Sequence, residues 1–467
     1  MLRTLLSSFA ALCLAACGMD GGASDERPIA VAFVADDGLG DRDRDEQADY
    51  ATAAAHLGLT GHGEDGRIVP ELATSWRVLD DGRTYVFKLR PAVWPDGREI
   101  TSGDVVAVVQ RALAPGSEVM LKPYLMEMAE ADAVAANRKP PRMLGIDNPL
   151  PDVVTIELDR PAPALLELLA QPDLAIVRAR EDSPPPSGPF AIAEDGAALV
   201  PNGRATDETV VHPLALSTLS LPAALEAFVE GDVDIVTGSA TSGLSQVLAD
   251  SETLGAQLRI EPTRGIYGLL AKTSSGPLAD VRVRRALSMT VDRDALIDLL
   301  GAPIGMEPAF GPLAPTLPEA YAGAVPDWSS WTVEARATEA VRLLSEAGVT
   351  PRTPLSIDVA VPRGNTHEMI VATLAEGWRP YGINIRAYRR PPALHREVVE
   401  DGDYDLAISE RIAPAMLPEF FLRPFSCDIR AGGYCNPGID GVLAAAAEAR
   451  DPSERVQLIR RAARLMA

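Results

Sequence analysis

The chain has 467 residues and a formal net charge of −23, from 43 basic and 66 acidic side chains. This length is sufficient for two or three domains with cores of their own. The excess of acidic residues argues against nucleic acid as a partner, because binding to the phosphate backbone needs a basic face. A solubilising acidic surface is the simplest explanation of the charge, and cationic ligands remain compatible with it.

The amino terminus has the pattern of an export signal. Arg3 precedes an apolar run over residues 4–16, which is shorter than the ~20 residues needed to span a bilayer. We therefore predict a signal peptide over residues 1–16. Leu14, Ala15, Ala16 and Cys17 resemble a lipobox, so we expect cleavage before Cys17 and lipidation of that cysteine. The alternative is an ordinary signal peptide with an incidental cysteine. Residues 17–27 are predicted to form a tether.

A first buried strand is predicted over residues 28–34, which are apolar and rich in β-branched side chains. Asp36 and Asp37 follow it directly. Further along, Tyr85, Phe87 and Leu89 alternate with polar residues, as in a half-buried strand. Asp81-Gly82 precedes that run and is typical of a hairpin turn.

A capped helix follows the hairpin. Thr101 stands three residues before Asp104, a near relative of the capping box, and apolar residues then recur at helical spacing. Residues 72–76 (LATSW), 95–97 (PDG) and 101–105 (TSGDV) together resemble, in order, the signature of the extracytoplasmic solute-binding proteins of the peptide/nickel type, family 5.

The resemblance continues along the chain. Residues 264–273 resemble the crossover strand that joins the two lobes in this family, and residues 276–287 resemble its most recognisable helix. It implies an α/β, two-lobed periplasmic-binding-protein-like fold of type II, in the large peptide-binder subclass. By that analogy, residues 28–262 form the first lobe, with an extra hairpin-containing subdomain at about 50–160. Residues 263–467 form the second lobe, whose helix and strand patterns alternate and predict a mixed or parallel sheet.

Ligand-binding residues are expected between the lobes, where a few polar groups orient a ligand against apolar walls. By family analogy, the loop after the first strand faces this cleft. Our candidates are Asp36, Asp37, Tyr267, Lys272, Ser409, Glu410 and Arg411.

Several of these candidates depart from the family pattern. Lys272 replaces the asparagine that usually ends the crossover strand. Residues 409–411 follow a strand predicted over 406–408, where the family has glycine–tryptophan and then an aspartate that pairs with a peptide's α-ammonium. Glu410 is a candidate replacement for that aspartate, and Arg411 a candidate partner for a carboxylate. There are structural alternatives to these roles. Tyr267 could be a core residue, and Glu410 and Arg411 could be solvated charges at the rim of the cleft.

Four cysteines occur in the chain. Cys13 leaves with the signal peptide and Cys17 is the predicted lipid site, so Cys427 and Cys435 are expected to form a disulfide. A metal site there lacks neighbouring ligands. The five histidines are scattered and no nucleophile, phosphate-binding or zinc motif occurs, so neither an enzyme nor a cofactor is predicted.

The resemblance implies a lipid-anchored substrate-binding component of an ABC importer. It would be periplasmic or in the cell envelope, monomeric, and would deliver a small polar, peptide-like ligand to a membrane permease. Family members normally continue beyond the position of Ala467 into a strand that returns to the first lobe, so this chain is expected to be short at its carboxyl end. A non-transport envelope lipoprotein that binds a partner, or a metal-chelate binder, remain alternatives.

Overall fold

The computed structural model describes residues 27–35, 46–178, 184–202, 212–238, 241–249, 254, 257–261, 263–301 and 305–467. The predicted signal peptide, Cys17, most of the tether, and Asp36 and Asp37 lie outside these ranges. None of the described helices has the length and apolar character needed to cross a bilayer.

The described strands are, in chain order, β1 (Ile29–Val34), β2 (Thr60–His62), β3 (Ile68–Pro70), β4 (Ala73–Leu79), β5 (Thr84–Leu89), β6 (Ile146–Leu150), β7 (Val153–Glu157), β8 (Phe190–Ile192), β9 (Ala198–Pro201), β10 (Leu214–Leu219), β11 (Ile235–Thr237), β12 (Gly265–Ala271), β13 (Leu355–Pro362), β14 (Ile383–Arg390) and β15 (Leu406–Ile412).

The described α-helices are α1 (Glu46–Ala55), α2 (Ser102–Ala112), α3 (Ala131–Ala135), α4 (Leu165–Leu168), α5 (Leu221–Glu230), α6 (Leu244–Ala249), α7 (Val281–Thr290), α8 (Arg293–Leu299), α9 (Val333–Glu346), α10 (Asn365–Trp378), α11 (Pro392–Asp401), α12 (Pro418–Leu422), α13 (Pro437–Glu448) and α14 (Pro452–Met466).

The first lobe is built on a five-stranded sheet in the order β11-β1-β10-β9-β8. β1 is parallel to both β10 and β11, whereas β9 is antiparallel to β10. Val31 and Phe33 pack with Ala51 of α1 on one face. Ala32 packs with Ala224 of α5 on the other. The predicted first strand is thus buried on both sides.

The extra subdomain contains an antiparallel sheet in the order β4-β5-β7-β6. The predicted hairpin connects β4 to β5, and Asp80, Asp81 and Gly82 all have positive φ, as the turn requires. The predicted cap is also present, since Thr101 and Asp104 form a reciprocal capping box at the start of α2. Both local predictions are confirmed.

The second lobe contains a mixed sheet in the order β12-β15-β13-β14. β13 is parallel to β14 and β15, and β12 is antiparallel to β15. The strand predicted over residues 406–408 is longer than expected, because pairing with the whole of β12 extends β15 to Ile412. Ser409, Glu410 and Arg411 therefore lie inside a strand rather than after it.

The core of the extra subdomain continues into the carboxyl-terminal helices. Phe87 and Trp94 of the subdomain belong to the same buried cluster as Phe420 and Phe421 of α12 and Ile459 of α14. Burial of each such side chain contributes roughly 1.5–3 kcal/mol. The subdomain is therefore packed against the carboxyl-terminal helices α12 and α14 as well as being connected to the first lobe.

Candidate ligand-binding cleft

A cavity of about 2110 Å³ extends between elements of the first lobe and the second-lobe sheet. Leu225 and Phe228 of α5 and Val236 of β11 line it on the first-lobe side, and residues of β12, β15 and α7 line it on the other. Ligand sites usually enclose roughly 300–1,000 Å³, so the space is larger than one drug-sized molecule needs. Most of the lining side chains are apolar.

Four of the predicted binding residues come together on two neighbouring strands. In the antiparallel register of β12 and β15, Tyr267 is opposite Glu410, and Gly268 is opposite Ser409. Arg411 follows one position further along, and Tyr267, Ser409, Glu410 and Arg411 all line the cavity. Side chains alternate between the faces of a sheet, so Tyr267 and Glu410 share one face.

Lys272 is placed differently. It follows the last residue of β12, and its backbone N–H donates to the carbonyl oxygen of Asp405 at 2.9 Å. It is not among the described residues that line the cavity, although its neighbours Ala271 and Thr273 are. Among the described residues, no contact places the ammonium group of Lys272 in the cleft. The side chains of Asp36 and Asp37 lie outside the described residues.

Tyr267 is joined to a histidine that the sequence did not single out. Its hydroxyl oxygen lies 2.8 Å from Nδ1 of His367, and the two rings stack with their centroids 5.8 Å apart. His367 is fully buried in the first turn of α10. No sequence signal predicted this pair, since 100 residues separate its members.

Glu410 receives a hydrogen bond from across the cleft. Its carboxylate accepts from the hydroxyl of Thr241, which lies in a short 3₁₀ turn after β11. Gly243 of the same turn is closely packed on α5, where an added Cβ would lie 2.1 Å from the Leu221 side chain. The turn thus contacts both lobes, and Glu410 anchors it to the second one.

Arg411 is oriented by Phe420 of α12. Its Nη2 donates to the carbonyl oxygen of Phe420 at 2.9 Å, and its guanidinium lies 4.5 Å from the centre of the Phe420 ring. These contacts fix the planar group in one orientation at the cavity wall. Its role in binding a carboxylate stays a prediction.

Cys427 and Cys435 are joined by a disulfide, with an S–S distance of 2.02 Å. The loop that it closes contacts the end of β12, where the N–H of Thr273 donates to the carbonyl oxygen of Gly432 at 2.7 Å. Gly432 has φ of 61°, and a Cβ there would lie 2.3 Å from the Ala271 carbonyl oxygen. Tyr434, Cys435 and Asn436 then form part of the cavity wall. The disulfide therefore shapes the cleft.

A metal site does not appear in the described ranges, where no three His, Cys, Asp or Glu side chains converge suitably for a metal ion.

The two-lobed architecture with a cleft agrees with the comparison to protein families. The profile of the bacterial extracellular solute-binding proteins, family 5 middle, matches residues 67–432. The chain belongs to this family. It is therefore a binding protein of a transport family and not an enzyme.

Known relatives extend along most of the chain. It is 28% identical over 420 residues to the periplasmic murein peptide-binding protein MppA of Escherichia coli, covering 83% of this chain and 76% of the relative. It is 25% identical over 425 residues to the periplasmic oligopeptide-binding protein OppA of the same species, covering 85% and 77%. The solved structure of E. coli MppA has a TM-score of 0.77 at 24% identity and covers 95% of this chain and 91% of that one, so the fold is shared.

Proposed function

We propose that this protein captures a small, peptide-like molecule between its two lobes and delivers it to an ABC permease. The observation that carries the proposal is the large, mainly apolar cavity whose walls come from both lobes, in a chain of the solute-binding family. A ligand that contacts both walls favours the closed arrangement of the lobes, which the permease then recognises. The names of the relatives support a peptide-like ligand, since MppA binds murein peptide and OppA oligopeptides.

Our assignment of the lobes follows from the sequence. We propose that residues 28–262, with the subdomain at about 50–160, form the first lobe and that residues 263–467 form the second. The extra subdomain shares a buried core with Phe420, Phe421 and Ile459, which this division assigns to the second lobe. We further propose that the protein acts as a monomer in the periplasm or cell envelope.

We also propose that a lipid on Cys17 anchors the mature chain. The apolar run ending at residue 16 and the lipobox-like residues before Cys17 support this. Two or three acyl chains suffice for stable attachment, whereas one does not. In an exporting bacterial host, the wild-type protein should fractionate with membranes and incorporate labelled fatty acid. Cys17→Ala should remove the label, and equal labelling of that variant would exclude Cys17 as the lipid site.

The binding function is tested by native mass spectrometry of protein purified from an exporting host without refolding. We expect a co-purifying small molecule, or uptake of peptides from a defined mixture. Thr241→Val removes the hydrogen bond that Glu410 receives and should weaken binding by opening the contact between turn and strand. Failure to bind any molecule from peptide mixtures or cell extracts, by a folded protein, would count against a transport role.

A further inference from the structure

The described lining of the cleft does not share the acidic excess of the whole chain. The whole chain has a formal net charge of −23. The described residues lining the cavity nevertheless include no lysine and more arginines than acidic residues. The arginines are Arg259, Arg284, Arg285, Arg293, Arg411 and Arg464. The acidic residues are Glu46, Asp234, Glu261, Glu307 and Glu410.

Protein contacts already occupy three of these carboxylates. Asp234 forms an ion pair with Arg27 at 2.6 Å. Glu261 forms one with Arg259 at 2.7 Å. Glu410 accepts the hydrogen bond from Thr241. Most of the negative charge in the wall is therefore committed to internal partners.

The arginines of α7 are in a different situation. Arg284 and Arg285 line the cavity, and among the described residues no carboxylate lies within ion-pairing distance of either. The acid nearest in sequence, Asp280, is bound to Arg282 at 2.6 Å. Arg464, near the end of α14, likewise has no ion pair with any described residue. The described wall thus presents arginines that form no ion pair with a described residue, and Asp280 and Glu339 act on Arg284 and Arg285 only over longer distances.

Arg284 is the best positioned of these groups to bind an anion. Its Nη1 donates to the carbonyl oxygens of Leu278 and Ala279 at 2.7 and 3.0 Å, which holds the guanidinium in place. The side chain is half-buried, and burial lowers its pKa. A desolvated cation without an anion is unfavourable, and a bound carboxylate would offset that cost with charge-assisted hydrogen bonds.

The surroundings of Arg284 add neutral donors and apolar walls. The hydroxyl of Tyr434 lies near Arg284 and the side chain of Asn436 and interacts with both electrostatically. Phe421 and Phe425 line the same cavity. A ligand there meets hydrogen-bond donors beside aromatic surface.

We propose that the cleft selects molecules that are mainly apolar and carry an anionic group such as a carboxylate, and that Arg284 binds that group. This inference rests on the proposed function and specifies its substrate class. A free ammonium on the ligand is then a disadvantage, because like charges across an interface are repelled.

The test uses leucine- and alanine-containing peptides of two to five residues in three forms. The first is N-acetylated with a free carboxylate, the second is N-acetylated with a carboxamide, and the third has a free amine and a carboxamide. Binding is measured by titration calorimetry and by native mass spectrometry of mixed pools. We expect the acidic form to bind at least tenfold more tightly than the neutral form, and the cationic form to bind most weakly. The difference should shrink at high salt.

Variants locate the anion. Arg284→Lys should lower affinity for the acidic form about tenfold and affinity for the neutral form by a smaller factor. Because Arg284 also binds two backbone carbonyls, its replacement could disturb the local structure. Arg285→Gln and Arg464→Gln therefore provide a second measurement, and each should weaken binding of the acidic form about two- to fivefold. Arg461→Gln is the matched control, since it is exposed on the same helix as Arg464 and does not line the cavity. Circular dichroism establishes folding of each variant.

The outcomes separate this inference from the proposed function. Equal binding of the acidic and neutral forms, or preference for the cationic form, overturns the anion preference and leaves a peptide-binding role intact. If no peptide binds, the charge of the co-purified molecule decides, and a cationic or neutral molecule overturns the inference. A folded protein with neither bound peptide nor co-purified molecule refutes the proposed function itself.

Discussion

Glu71 makes the stability of the extra subdomain dependent on pH. The side chain is largely buried, and its Oε2 accepts a hydrogen bond from the N–H of Gly58 at 2.8 Å. Burial raises the pKa of this carboxyl from 4.5 to about 7, despite opposing effects of the Gly58 hydrogen bond and of Arg90. The folded protein therefore binds this proton more tightly than the unfolded chain does.

The sign and size of the effect follow from proton linkage. The contribution of Glu71 to the free energy of unfolding is fully present below pH 4.5 and is lost as pH rises through about 7. One pKa unit corresponds to about 1.4 kcal/mol, so the shift is equivalent to about 3 kcal/mol. Glu71→Gln retains an oxygen that accepts from Gly58 and has no charge to desolvate. We expect this variant to be more stable than the wild type by about 2–3 kcal/mol at pH 8 and nearly equal to it at pH 4.5.

Urea denaturation followed by tryptophan fluorescence measures both proteins across this pH range. Circular dichroism must give a coincident transition, because a chain of several domains need not unfold in one step. Glu64→Gln, an exposed change in the loop between β2 and β3, is the matched control and should leave the pH dependence unaltered. Parallel pH profiles for Glu71→Gln and the wild type would refute the reasoning.

Three further changes concern the second-lobe wall of the cleft. Replacing Cys427 and Cys435 together by serine should lower the free energy of unfolding by about 2–3 kcal/mol, because the unfolded chain regains the freedom of a short loop. Urea denaturation measures this loss, and an unchanged midpoint would contradict the prediction. Tyr267→Phe removes the hydroxyl paired with His367 and should lower the free energy of unfolding by about 1–3 kcal/mol. The His367 ring signal in nuclear magnetic resonance spectra should change, and an unchanged signal would indicate that the pair does not form in solution. Gly432→Ala places a methyl group against the backbone at the end of β12 and forces alanine to adopt a positive φ. We therefore expect at least about 1 kcal/mol of destabilisation in thermal unfolding. Wild-type stability of this variant would show that the disulfide-closed loop does not pack against β12.

Short-range features were predictable because neighbouring residues carry all the information. The turn at Asp81-Gly82 needs residues that tolerate positive φ, and the start of α2 needs the Thr101–Asp104 pair, both of which are local requirements. The family was recognisable for the same reason, since its signature consists of such local phrases in a fixed order. The disulfide followed from the small number of available cysteines.

Long-range pairings were not predictable from these patterns. β15 extends to Ile412 only because β12 runs beside it, and strand pairing between distant segments leaves no local trace. The charge of Glu410 is visible in the sequence, yet its partner Thr241 lies 169 residues away. His367 is not predictable as a partner of Tyr267, because a histidine on an apolar helix face has no distinctive pattern. The two rings stack only when α10 packs on the sheet.

The contrast in charge follows the same division. The amino-acid composition determines the strongly acidic balance of the whole chain, because a sum of charges does not depend on their positions. Folding decides which charges meet, and it pairs the cleft's Asp234 and Glu261 with arginines while leaving Arg284 and Arg285 without a described carboxylate partner. Electrostatic interactions fall with distance and with solvent screening, so the potential within a cleft is a property of the three-dimensional arrangement alone.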